Sequence, residues 1–267
     1  MTSGLAGKVA IITGAASGIG RATAIHFARS RCNLVIAGLQ PEKLENTKGA
    51  CMLENPRQIV TVSGELRDSR HRQTIVETAI DKFKKLDILV NVAGVVVHKP
   101  ALQQTMEDFD ELFSVNVRAA CDLTQKSLPH LIEAKGNIVN VSSVASTMPL
   151  GIASYYSMTK AALDSFAKCF AFELGEKGVR VNNVNPGPVK TEIGEESKGK
   201  EEIDKMWKDL ASIQTIGRVA QPVEIARVIA FLASEESSYI NGQCVYVDSG
   251  MTLKMAQGML GLQWGRQ

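Results

Sequence analysis

The sequence is poor in the features that mark a specialised chain. Its five cysteines, Cys32, Cys51, Cys121, Cys169 and Cys244, are odd in number, widely spread and mostly set in apolar segments. That pattern argues against a disulfide frame and against a metal centre, and it suits reduced core thiols in a cytosol-like compartment. Neither sign of charge is in excess: 30 Lys and Arg against 28 Asp and Glu leave +2. No basic face for nucleic acid is therefore expected, and no basic or aromatic stripe suggests RNA. No apolar run approaches the roughly 20 residues of a membrane span. The start, MTSGLAGKVAIITG, lacks the charged opening, long apolar stretch and cleavage site of a secretory leader, and WGRQ at the end matches no peroxisomal or retention address. The expectation is a cytoplasmic protein without membrane or nucleic-acid partners. Repeats, low-complexity segments and linkers are also lacking, so residues 1–267 are read as one α/β domain with room for a substantial core.

What is present is an alternation of short β-rich runs and helical patterns. KVAIIT (8–13), NLVIAG (33–38), 58–63, LDILVNVAG (86–94), GNIVNVSS (136–143), 179–183 and 243–247 read as strands; 41–53, 69–85 and 222–233 read as helices between them. TMEDFDELFSVNVRAACDLTQKSLPHLI, capped by Thr105, reads as one long helix carrying Asn116 among apolar neighbours. Alternation of this kind implies a parallel sheet wound on both faces, with ligands at the carboxyl edge of its strands.

At that edge, the first strand turns into a helix through Gly14, Gly18 and Gly20. Such a turn exposes backbone N–H groups and the positive end of a helix dipole, which suits a pyrophosphate, although G-x-x-x-G-x-G is not the commoner dinucleotide spacing. After the second strand stand Gly38, Leu39 and Gln40, neither an acid for a ribose hydroxyl nor a cation for a 2′-phosphate. The absence of an acid favours NADP(H), with NAD(H) open; Ser17, Arg21 and Lys43 are nearby candidates for phosphate contacts. Glu65 and Leu66 follow the third strand where an adenine would lie, and Asn91, Ala93 and Gly94 end the fourth.

The residues 140–160, NVSSVASTMPLGIASYYSMTK, hold the chemistry. Ser143 ends a buried strand, and Tyr156 and Lys160 stand one helical turn apart on a shared face. A cation near a phenol favours the phenolate and lowers a pKa that is ordinarily about 10. Tyr155 lacks that neighbour, since Thr159 stands four residues on. Taken alone, such a pair is more commonly a half-buried Tyr beside a Lys with its stem packed down and its head in water.

TGAASGIG at 13–20, the AG ending at Gly94, Asn116, Ser143, Tyr156-Ser-Met-Thr-Lys160 and NPGPVKT at 185–191 occur in the order and spacing of the short-chain dehydrogenase/reductase family, which the chain resembles from residue 7 to about 248. The resemblance implies a Rossmann-like, doubly wound sheet of about seven parallel strands with helices on both faces, a nicotinamide cofactor, and a homo-oligomer, tetramer or dimer. It implies hydride transfer between a carbonyl and an alcohol, most simply as a reductase. Tyr156 would be the acid or base, and Lys160 would lower its pKa and hold the nicotinamide ribose. Ser143 would bond the substrate oxygen, and Asn116 would secure a water behind Lys160. Gly14, Ser17, Gly18, Ile19 and Gly20 would cradle the pyrophosphate. Leu39, Glu65 and Leu66 would border the adenosine; Asn91, Ala93 and Gly94 would line its ribose; Pro186, Gly187, Val189 and Thr191 would meet the nicotinamide. Val92 and Glu65 depart from the family's usual Asn and Asp, and Leu39 stands where NADP-preferring relatives commonly have Arg.

Around the site the sequence is apolar, with Val96, Met148, Leu150, Ile193 and Met206 as candidate substrate contacts. The expected substrate is a small carbonyl or alcohol with an apolar body, a reading that His98 or Lys190 would contradict by gripping an acid. Residues 192–216 are expected to form a lid, and 249–267 a tail packed on the body or a subunit interface. The rival class is a dinucleotide-binding regulator that kept the fold without the chemistry; it predicts gaps in the set Asn116, Ser143, Tyr156 and Lys160.

Overall fold

A computed structural model describes residues 4–55, 58–192 and 199–259. In chain order its elements are β1 (Val9–Ile12), α1 (Gly18–Arg29), β2 (Asn33–Gly38), α2 (Pro41–Met52), β3 (Ile59–Ser63), α3 (Ser69–Phe83), β4 (Ile88–Asn91) and α4 (Met106–Phe113). They continue with α5 (Ala119–Glu133), β5 (Asn137–Val141), α6 (Ser154–Gly175), β6 (Arg180–Pro186), α7 (Lys200–Ser212), α8 (Pro222–Ala233), β7 (Cys244–Val247) and α9 (Met251–Met259). The strands form a seven-stranded sheet in the order β3-β2-β1-β4-β5-β6-β7, and every pairing is parallel. This is the Rossmann-like arrangement, with strand order reversing between β1 and β4, where a crevice opens at the carboxyl ends.

Period-two alternation divides the core between the faces. Ala10 and Ile12 of β1 join Phe27, Ala24 and Ile229 in one apolar cluster, while Val9 and Ile11 join Ile75, Leu123 and Ala167 in the other. Because helices cover both faces, β1 reads as an unbroken apolar run. Full burial of a side chain such as Phe27 contributes about 1.5–3 kcal/mol relative to exposure.

Three sequence expectations are revised. The long helix after Thr105 is broken: a π-helical turn at Ser114–Arg118 separates α4 from α5 and turns Asn116 inward, where its amide meets the backbone of Val95. Strand β6 runs on through Asn185 and Pro186, which were expected in the following turn. Pro186 lies beyond Val184, the last residue opposite β5, so its missing N–H breaks no ladder bond on that side. Helix α3 ends at Phe83 because Lys84 takes a left-handed conformation, φ 63°. Residues 251–259 of the tail fold as α9, whose Met251 is buried with its sulfur accepting from the Gln214 amide at 3.3 Å. No described helix is long and apolar enough to cross a membrane.

Candidate active site

The turn from β1 into α1 is built backbone against backbone. Gly14 has φ +64°, and a Cβ there would lie 2.9 Å from the backbone of Ala93; a Cβ on Gly20 would lie 2.2 Å from the Gly14 carbonyl oxygen. Neither position admits a side chain. Ser17 caps α1 in extended conformation, and its side chain bonds no backbone N–H of the first turn. Those donors, at the positive end of the helix dipole, border a cavity of about 340 Å³. The cavity runs along Gly14, Ser17, Gly18, Ile19 and Gly20, past Leu39, Glu65 and Leu66, to Ala93, Gly94 and Thr191. Among the described residues the buried Thr191 hydroxyl has no hydrogen-bond partner. Uncapped donors, a glycine cradle and an orphaned hydroxyl fit a dinucleotide.

The adenosine end departs from expectation in two places. Asn91, assigned to the ribose, does not border the cavity: its buried amide donates to Asn140 Oδ1 at 2.9 Å and is held within the sheet. The Glu65 carboxylate is already held by Arg67, which donates through its backbone N–H at 3.1 Å and its guanidinium at 2.7 Å and keeps the acid below its usual range. Two residues missed in the sequence shape this end. Arg72, 3% exposed, bonds the Leu66 carbonyl and pairs with Asp122 at 2.5 Å. The Thr13 hydroxyl accepts from the N–H groups of both Val92 and Ala93, which is why the Val92 side chain can differ without loosening the strand end.

Ser143 emerges from β5, and its hydroxyl accepts from the Ala145 N–H at 3.1 Å. It also hydrogen-bonds the phenol of Tyr156, which stands in the first turn of α6. Lys160, one turn further, is 4% exposed; its ammonium lies 5.4 Å from the centroid of the Tyr156 ring and donates to the Val141 carbonyl at 2.9 Å. Burial brings the Lys160 pKa down to about 8, opposed by the Asp164 charge. Burial pushes the Tyr156 phenol up, and what lowers it is the bond from Ser143. Gly94 joins this group to the cavity: a Cβ there would be 3.2 Å from Asn116 Oδ1 and 3.6 Å from Lys160 Nζ.

Other candidates stand apart. Pro186, Gly187 and Val189 do not border the cavity, and neither do Val96, Met148, Leu150 and Met206. Val96, Met148 and Met206 are half-buried and Leu150 is exposed. Ile193, expected in the lid, lies outside the described residues. His98 and Lys190 are exposed.

A parallel sheet with its switch-point crevice beneath a glycine turn defines the class of dinucleotide-dependent α/β oxidoreductases. The family model described as enoyl-(acyl carrier protein) reductase matches residues 14–252. The 3-oxoacyl-[acyl-carrier-protein] reductase FabG of Thermotoga maritima is 34% identical over 251 residues, covering 93% of this chain and 99% of the relative. The hydroxynaphthalene reductase-like protein Arp2 of Metarhizium anisopliae is 36% identical over 259 residues, covering 92% and 95%. Among solved structures, a short-chain dehydrogenase/reductase of unknown function from Caenorhabditis elegans, crystallised with cofactor, superposes with TM-score 0.88 at 33% identity and covers 93% of this chain and 96% of that one. The chain belongs to the short-chain dehydrogenase/reductase family and is a nicotinamide-dependent oxidoreductase.

Proposed function

We propose that this enzyme is a reductase of small carbonyl compounds in which Tyr156 is the acid, with the reverse alcohol oxidation using it as base. The observation that carries the reading is the Ser143, Tyr156 and Lys160 group standing against Gly94, the wall of the dinucleotide cavity. A bound nicotinamide supplies the hydride. Tyr156 gives its proton to the carbonyl oxygen as negative charge grows there, and the Ser143 hydroxyl donates a hydrogen bond to the same oxygen. The Lys160 ammonium stabilises the tyrosinate left behind, which answers the burial that opposes ionisation. Asn116, through its bonds to Val95 and Thr159, fixes the loop and the helix turn between which Lys160 lies.

NADP(H) is the favoured coenzyme in this reading. Leu39, 64% exposed, offers no carboxylate to repel a 2′-phosphate. Beside Ser17 a second cavity of about 580 Å³ is bordered by Arg21, Lys43 and Lys190. Lys43 pairs with Glu192 at 2.5 Å, both side chains being exposed, and such pairs are weak enough for Lys43 to exchange partners. The half-buried Val96, Met148 and Met206, with exposed Leu150, support a substrate of apolar body. Helix α7 has no fully buried residue and follows the turn after β6, as a mobile lid would. We place the enzyme in the cytoplasm, as one domain per subunit of a homo-oligomer.

The test is fluorescence titration with NADPH and NADH, followed by turnover of a carbonyl panel spanning alkyl ketones, quinones, steroids, sugars and acyl thioesters. Tyr156→Phe should retain coenzyme affinity and lose about 10²–10⁴-fold in kcat. Turnover at the parental rate in that variant overturns the acid role; a preference for short anionic substrates overturns the apolar one. No turnover on the panel would favour a dinucleotide-binding regulator.

A further inference from the structure

A row of buried amides crosses the sheet behind the site. Asn91, Asn140 and Asn183 occupy matched positions on β4, β5 and β6. Asn91 Nδ2 donates to Asn140 Oδ1 at 2.9 Å, and Asn140 Nδ2 donates to Asn183 Oδ1 at 2.9 Å. Asn183 Nδ2 then donates to Asp164 Oδ1 at 2.9 Å. An amide both donates and accepts, so a row of amides has no preferred sense until a group that only accepts closes one end. The carboxylate of Asp164, 7% exposed, is that end.

A second amide converges on the same carboxylate. Asn185 Nδ2 lies 2.9 Å from Asp164 Oδ2 and, by the same nitrogen, 3.1 Å from the Ser143 carbonyl and 3.0 Å from Ser146 Oγ. Asp164 follows Lys160 by one turn and Tyr156 by two, so one residue of α6 meets both the helix that carries the acid and the strand end that carries Ser143. Among the described residues no Lys or Arg nitrogen is within ion-pair distance of Asp164, while the Cys244 thiol of β7 hydrogen-bonds it and also feels the Lys168 charge. Lys160 is faced by Asp164 and Tyr156 on its own helix, by the Val141 carbonyl of β5 and by the uncharged amide of Asn116.

We propose that Asp164 is a positioning residue: through Asn185 it fixes the strand end bearing Ser143, and it supplies the counter-charge to the buried Lys160 ammonium. The inference rests on the acid role of Tyr156 for its effect on turnover, but not for its effect on Lys160. Asp164→Asn keeps the shape, removes the charge and sets its own amide N–H₂ against one of the two converging amide donors.

The test is NMR titration of ¹³C-labelled lysine in the coenzyme-free protein, with the Lys160 signal assigned by its loss in Lys160→Met. In Asp164→Asn the Lys160 midpoint should fall by about one pH unit or more. Its kcat should fall about tenfold, with the high-pH limb of kcat/KM displaced in the same direction. A midpoint displaced by less than about 0.3 unit overturns the counter-charge role whatever happens to turnover. Asn185→Ala retains the Asp164 charge: its midpoint should hold and its kcat should fall about tenfold, and an unaltered kcat overturns the positioning role even if Asp164→Asn does not fold. A displaced midpoint in Asp164→Asn, together with a wild-type protein that turns over nothing, would show the acid reading to fail while the Asp164 counter-charge stands.

Discussion

Asn116 closes both main-chain groups of Val95 with one side chain: its Oδ1 accepts from the Val95 N–H at 2.8 Å, and its Nδ2 donates to the Val95 carbonyl at 2.9 Å. The π-helical turn at Ser114–Arg118 makes this reach possible. Asn116→Ala leaves two backbone groups unpaired, at about 1–3 kcal/mol each where water cannot replace the amide. We expect Tm to fall by roughly 5–10 °C in a thermal melt, together with loss of turnover.

Lys160 links pH to stability. Its folded pKa, about 8, lies below the ordinary 10.5, so between these values the unfolded chain binds more protons and this residue's contribution rises with pH; it is lost as pH falls through about 8. The buried thiols Cys32 and Cys51 and the half-buried Cys244 act in the opposite sense above about 9, because burial raises their pKa values. The informative quantity is therefore the stability of wild type minus that of Lys160→Met. Urea unfolding should show it growing by roughly 1 kcal/mol between pH 8 and 9. A constant difference would contradict the assignment.

The glycine cradle predicts a contrast between two substitutions. Gly20→Ala forces a Cβ against the Gly14 carbonyl, and a clash of that kind costs about 1–3 kcal/mol. Gly49→Ala, inside α2 with open space around it, removes a flexible residue from a helix and should stabilise by about 0.5–1 kcal/mol. Coenzyme titration should show weaker binding for the first variant only, by roughly tenfold or more.

Phe172 is 91% exposed on α6, although Phe166 on the same helix is buried and packs on Phe170 with ring centroids 4.2 Å apart and planes tilted by 33°. An exposed phenyl ring next to ordered aromatic packing favours a subunit contact. Phe172→Glu should shift a homo-oligomer to smaller species by light scattering while leaving the melting profile of the monomer intact.

Periodicity and spacing carried the local features. Alternating strands and helices, the turn at Gly14, Gly18 and Gly20, and the four-residue step from Tyr156 to Lys160 are properties of near neighbours in the chain, and each was legible before any coordinates. The break at Asn116 was not, because a π turn is stabilised by a partner, Val95, that lies 21 residues away. Asp164 had one visible signal, its place two turns beyond Tyr156, but the amides that donate to it come from β6 and gave none. The same holds for Asn91, whose amide donates to Asn140 on a neighbouring strand, and for the Tyr156 phenol, whose burial and bond to Ser143 come from the fold. Backbone geometry repeats along a sequence and can be read there. Burial, and the identity of the group across a cavity or a strand, exist only once distant segments have been brought together.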